Sequence, residues 1–159
     1  MKYRKIKKSD NAAIAKIIRD NLMKFNLDIP GTSYFDPHLD TLNEFYDEKP
    51  DKRVYFVAFD DKNEVIGGVG IAEFDWDDKT AILQKLYLSD SVKGNGYGKE
   101  LLRIAENWVK EKGYKNLYLE THTNLSIALN LYEKAGFKQI EMPKNAMHGA
   151  MNRFYLKEL

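Results

Sequence analysis

Hydrophobic positions near the start of the chain recur at helical spacing. A weakly alternating run over residues 2–7 predicts a short edge strand. From Ser9 or Asp10, both N-cap types, Ile14, Ile17, Ile18 and Leu22 fall on one face of a helix reaching about Phe25. Residues 26–36 contain Pro30-Gly31 and read as a loop, and Leu39, Leu42 and Phe45/Tyr46 predict a second helix over roughly 37–48. After Pro50 the period shortens. Residues 53–59, 65–74 and 80–88 are β-rich runs separated by the turn clusters Asp60-Asp61-Lys62-Asn63 and Asp75-Trp76-Asp77-Asp78, which predicts an antiparallel meander.

The pattern then returns to helix. Leu101, Leu102, Ile104, Ala105, Trp108 and Val109 form a strong apolar stripe that stops at Gly113. Residues 116–120 read as a strand, 124–135 as a helix with Ala128, Leu131, Tyr132 and Ala135 on one face, and 137–141 and 153–156 as two last strands. The order is β-α-α-β-β-β-α-β-α-β-β. A meander followed by a βαβ unit implies a mixed sheet with helices on its faces.

Composition removes several function classes. A chain of 159 residues suits one domain over 1–159. With 25 Lys+Arg against 24 Asp+Glu, the charge gives no reason to invoke nucleic acid or an anionic membrane. Cysteine is absent, which excludes disulfides, thiolate metal sites and a cysteinyl acyl intermediate. His38, His122 and His148 are widely spaced, so no metal site is expected. The basic N-terminus lacks the apolar run of a secretory signal and no stretch suits a bilayer span, so a cytoplasmic location is the expectation.

The most informative stretch is the loop Lys93-Gly94-Asn95-Gly96-Tyr97-Gly98-Lys99, entered from a strand carrying Leu86-Tyr87-Leu88 and left by a helix. Such a loop aims several backbone N–H groups and a positive helix end at one point, which suits a phosphate or pyrophosphate. A P-loop would need glycine where Lys93 stands and Ser/Thr where Glu100 stands. The dinucleotide fingerprint fails at Lys99 or Leu101, depending on register. On the loop alone, an acyl-CoA site and a plain glycine-rich turn are about equally good readings.

Lys93 to Gly98 does fit the pattern Gln/Arg-x-x-Gly-x-Gly/Ala, with Lys at its first position, and Asn124…Ala128…Leu131-Tyr132-Glu133-Lys134-Ala135-Gly136-Phe137 stands downstream. In these two segments the chain resembles the GNAT acetyltransferase superfamily. More narrowly it is similar to the acetyltransferase half of MarR–GNAT fusion proteins. The shared residues are Pro30-Gly31-Thr32-Ser33, Asp36-Pro37, Leu83-Gln84-Lys85-Leu86-Tyr87, Leu119-Glu120-Thr121, His148, Asn152 and Arg153. Where the fusions usually carry a cysteine, Ala150-Met151 stand here, and a role in transcription is not expected.

The resemblance implies the GNAT fold, an α/β (α+β) chain with a mixed, mostly antiparallel sheet flanked by about four helices. It implies direct transfer of an acetyl group from acetyl-CoA to a primary amine of a small, amino-acid-like acceptor. Cofactor contacts would come from Leu86, Tyr87, Leu88, Lys93, Gly94, Asn95, Gly96, Tyr97, Gly98, Lys99 and Asn124, the last also capping its helix. Tyr132 would be the general acid. On helical spacing alone Tyr132 reads better as a core residue; the surrounding motif reverses that. Glu120, ahead of Glu73, is the carboxylate expected to take the amine's proton, although each also reads as a structural group. Tyr34, Phe35, His148 and Arg153 are expected at the acceptor site, with Arg153 as a carboxylate clamp and residues 26–36 as a lid. The expected partner is a small-molecule amine, with a homodimer as the assembly the fold allows. Two alternatives are a catalytically silent CoA-binding sensor and an acetyltransferase acting on protein lysines or N-termini.

Overall fold

The computed structural model describes all of residues 1–159. Seven strands form one sheet in the order β1-β2-β3-β4-β5-β7-β6: β1 (Lys2–Lys5), β2 (Val54–Phe59), β3 (Val65–Glu73), β4 (Thr80–Leu88), β5 (Asn116–Thr121), β6 (Lys138–Ile140) and β7 (Arg153–Glu158). All neighbours are antiparallel except β4 and β5. Four helices complete the fold: α1 (Asn11–Lys24), α2 (Leu42–Asp47), α3 (Tyr97–Glu111) and α4 (Ser126–Lys134). The predicted order of elements stands, with β7 inserted between β5 and β6.

The alternation of β2 explains why both sheet faces are covered. Val54, Phe56 and Ala58 point into the larger core with α3, Tyr132 of α4 and Leu117 and Leu119 of β5. Tyr55 and Val57 point into a second core with α1 and α2, through Ile14, Ile18, Leu22, Leu42 and Tyr46. The buried positions of β2 therefore have packing neighbours on both faces of the sheet. The second helix is shorter than its pattern implied. Leu39 belongs to a 3-10 turn over Leu39–Thr41, and α2 proper starts only at Leu42. Leu39 and Leu42 are both fully buried, so packing tolerates the change of helix type.

Gly70 marks where β3 meets the second core most closely. A Cβ there would lie 2.7 Å from Tyr46 Cζ and 2.9 Å from Tyr55 Cδ2, inside any real contact distance. Both tyrosines are buried and pack on each other in a tilted pair at 5.4 Å, so neither can swing clear. Gly70→Ala is expected to destabilise the fold by about 2–3 kcal/mol through overpacking, read as a lower midpoint in urea unfolding.

Two features of the sheet create the site. β4 carries a bulge: Gly68 faces Tyr87 and Gly70 faces Gln84, so Val69 opposes both Lys85 and Leu86. Lys85 adopts a left-handed backbone with φ 50°, and Tyr55 Oη donates to its carbonyl at 3.0 Å. The parallel pairing of β4 with β5 covers only Thr80–Leu83 against Asn116–Leu119. Past that point β4 curves away with its bulge, whereas β5 stays with β7 through the pairs Glu120–Phe154 and Thr121–Arg153. The two central strands open like a V.

Candidate active site

A cavity of about 420 Å³ fills the V, a size usual for small-ligand sites. Its walls are β4 (Leu83 and Lys85–Leu88), β5 (Leu119–Thr121), and α4 with its preceding loop (Leu125, Ile127, Ala128, Leu131, Tyr132). One end is the glycine loop, where Lys93, Gly94, Gly96, Tyr97, Gly98 and Lys99 line it. The loop turns through left-handed Gly94 (φ 86°) and Gly96 (φ 76°), the residue immediately before α3. A Cβ at either glycine would meet nothing within 4 Å, so conformation and not crowding requires glycine there. The loop delivers the unpaired N–H groups of a fifteen-residue helix to the cavity.

Lys93 itself is held by the protein. Its Nζ donates to Asn21 Oδ1 and lies against Asp90 Oδ1, both at 2.7 Å. The Asn21 amide nitrogen donates to the carbonyls of Ile17 and Leu88, each at 2.8 Å. Asn21 thus ties α1, the end of β4 and the glycine loop together from a buried position. It interrupts the apolar face of α1 in the sequence, a polar residue among Ile17, Ile18 and Leu22, and that is the signal by which it is detectable.

Tyr132 stands in the opposite wall. Its ring packs at 5.9 Å from Phe137 and 6.4 Å from Tyr155. The hydroxyl has no hydrogen-bond partner in the protein, yet no fully buried polar atom is left unsatisfied, so it opens to the cavity. Burial, with the nearby Tyr87 phenol adding to it, pushes the Tyr132 pKa up and keeps the group protonated.

At the other end of the V lies a chain of buried charges. Lys85 Nζ is 2.7 Å from Asp36 Oδ2, and His148 Nε2 is 2.9 Å from Asp36 Oδ1. His148 Nδ1 is 3.7 Å from Glu120 Oε1. Glu120 accepts from Tyr118 Oη at 2.8 Å, the Met147 N–H at 2.7 Å and the His148 N–H at 2.9 Å. Burial alone would raise Asp36, but the His148 hydrogen bond and the Lys85 charge hold it at about 2. Burial alone would lower His148, but its hydrogen bond to Asp36 and the Glu120 carboxylate close by raise it to about 9. The imidazole is therefore a cation at neutral pH. The chain joins the 26–36 loop, the β4 bulge, β5 and the 141–152 loop. Ala150 N–H donates to Gly31 O at 3.1 Å beside it.

With this geometry, similarity to known proteins becomes informative. Residues 19–137 match the Acetyltransferase (GNAT) family. The chain belongs to that family. It is 35% identical over 140 residues to the Uncharacterized N-acetyltransferase YjgM of Escherichia coli (strain K12), covering 87% of this chain and 82% of that one. Acetyltransferase Atu2258 of Agrobacterium fabrum is 30% identical over 132 residues, covering 82% and 80% of the two chains. The GNAT acetyltransferase of Staphylococcus aureus Mu50 has the same fold, with TM-score 0.87, 20% identity and coverage of 99% and 98%. PaiA N-acetyltransferase of Thermoplasma acidophilum, solved in complex with coenzyme A, has TM-score 0.78, 22% identity and coverage of 99% and 98%. The chain is thus a GNAT acyltransferase.

The structure brings Leu86, Tyr87, Leu88, Lys93, Gly94, Gly96, Tyr97, Gly98, Lys99, Tyr132 and Glu120 to this cavity. Several other expected site residues lie elsewhere. Asn124 neither caps α4, which Leu125 precedes, nor lines the cavity; its amide donates to Phe25 O at 2.9 Å. Asn95 turns back onto Val92 O at 2.9 Å. Arg153 lines neither this cavity nor the small chamber beside it, and its guanidinium donates to Asn152 O at 2.8 Å. Tyr34 packs on the second core and Phe35 is exposed; Ser33 is the member of that turn that reaches a cavity wall. Glu73 is held by Arg53 at 2.7 Å and Lys49 at 3.1 Å, away from the cleft, with its pKa held at about 2 by those cations against its burial. Glu120 lines the cavity, but it accepts three hydrogen bonds and its pKa is lowered, those bonds outweighing burial. A carboxylate so satisfied is a weak base, because protonating it breaks bonds that favour the charged form. Its geometry is that of a group that positions His148 and the 147–148 backbone.

No helix is long and apolar enough to cross a membrane.

Proposed function

We propose that this GNAT enzyme moves the acetyl group of acetyl-CoA directly to a primary amine of a small acceptor. The observation that carries the reading is the V between β4 and β5, closed at one end by a glycine loop and helix N-terminus and at the other by a buried charge chain. The residues fit acetyl-CoA as the donor. The N–H groups of Gly94 to Lys99 suit its pyrophosphate, and the uncoupled edge of β4 at Leu86–Leu88 suits its amide-bearing arm. Lys99 supplies the cation there, because Lys93 is already engaged by Asn21 and Asp90. The donor supplies an activated thioester. Tyr132 holds a proton at Oη for the departing sulfur. Glu120 and Asp36 are both held in the charged form by their partners and are weak bases, so the amine enters neutral or passes its proton to water.

Titration calorimetry tests the donor site. Acetyl-CoA is expected to bind with micromolar affinity and NAD not at all. Gly96→Ala forces a side chain into a left-handed turn at a cost of about 1–2 kcal/mol, so it should weaken acetyl-CoA about tenfold. A folded protein that binds no CoA species overturns the reading.

A further inference from the structure

Next to the main cavity lies a smaller chamber of about 50 Å³, room for only a few non-hydrogen atoms. The two share Leu83, Lys85, Tyr87, Glu120 and Met151 as walls, so an amine at the point of the V has its far end in the chamber. The charges around the chamber are Lys85, His148, Asp36 and Glu120. Two cations meet two anions at the distances given above, and none is left over. A carboxylate entering here would have to displace Asp36 from both of its partners while facing Glu120. What the walls leave free is neutral. The hydroxyls of Ser33 and Tyr87 have no hydrogen-bond partner in the protein. Gln84 accepts from Tyr46 Oη at 2.9 Å, which leaves its amide nitrogen against Met147 Sδ at 3.7 Å, a weak acceptor that a ligand oxygen would replace.

We propose that the acceptor carries a neutral hydrogen-bonding group, a hydroxyl or carboxamide, close to its amine, and that Ser33, Gln84 and Tyr87 select it over a carboxylate. The inference rests on the acetyl-transfer reading and narrows its substrate class. Discrimination by unpaired polar groups in a closed site is strong, since the wrong ligand leaves them unsatisfied.

The test uses the full chain and three acceptors of matched size: ethanolamine, glycinamide and glycine. Thiol release from acetyl-CoA is followed, with rates compared at equal concentrations of free amine. The hydroxyl or amide acceptor should exceed glycine in kcat/KM by at least about tenfold. Gln84→Glu keeps an acceptor for Tyr46 but removes the amide donor and adds charge. It should raise the acceptor KM more than it lowers kcat, with acetyl-CoA affinity unchanged. Ser33→Ala should act in the same direction, more weakly. Glycine as the best acceptor overturns the proposal. So does a protein that binds acetyl-CoA yet acetylates none of the neutral acceptors, or variants with unaltered acceptor preference. Absence of acetyl-CoA binding in calorimetry is a separate result, which removes the transfer reading itself and this inference with it.

Discussion

Tyr132→Phe should lower kcat about 10²- to 10⁴-fold, the range that general-acid catalysis contributes, with thermal stability and acetyl-CoA affinity unchanged. The split follows from where the hydroxyl sits. The Tyr132 ring is buried against Phe137 and Tyr155, and phenylalanine keeps all of that packing. The hydroxyl has no protein partner to lose, so its removal leaves no orphaned group. What disappears is the proton facing the cavity. The burial that raises the phenol pKa also makes it a weaker acid toward a solvated base. The departing thiolate, however, forms in the same low-dielectric space, where an unprotonated sulfur is equally disfavoured. The two shifts oppose each other in the transfer and the proton stays usable. A steady-state comparison over a range of pH checks this. A loss of less than about threefold, well under the usual general-acid contribution, would leave Tyr132 as core packing.

The helix that carries Tyr132 was legible because its pattern is local. Leu131 and Tyr132 follow Ala128 at helical spacing, and Gly136 ends the run in a left-handed turn of φ 93°. The glycine loop was legible for the same reason, since conformation within six residues dictates its sequence. The charge chain at the opposite end of the V was not. Asp36 and His148 are 112 positions apart and meet only because the 26–36 and 141–152 loops cross the same end of the sheet. Lys85 looks like a strand residue in an alternating run, and nothing in its neighbours announces a left-handed bulge. Arg153 and Asn124 illustrate the opposite error. Each is a residue type suited to a ligand, placed by sequence near the site, and each is engaged by a backbone carbonyl instead. Glu120 does line the cavity, but the three donors that hold it charged come from β5 and from a loop 27 residues away.

The buried charge chain at the end of the V opposite the glycine loop sets the second large effect. Asp36→Asn leaves Lys85, only 8% exposed, and the His148 imidazole without their shared anion. Breaking a buried pair by removing one partner costs about 3 kcal/mol or more. For a chain of this size that corresponds to a Tm lower by about 6–12 °C. Asp36→Asn should also lose acceptor turnover, because the 26–36 and 141–152 loops lose their tie across the chamber. The same chain gives the parent protein a pH signature. His148 is raised from 6.5 to about 9, so its contribution is complete below the unfolded value and is lost as pH rises through about 9. Asp36 is lowered from 3.8 to about 2, so its contribution is present above the unfolded value and is lost as pH falls through about 2. Between pH 7 and pH 10 the parent should lose up to about 3 kcal/mol, the value of a shift of this size. Asp36→Asn should show a much flatter alkaline limb, because the imidazole it leaves behind has lost its main reason to stay protonated. Thermal unfolding of both proteins across that range checks the argument. Parallel alkaline limbs in the two proteins would mean that the Asp36–His148 contact does not hold the loops.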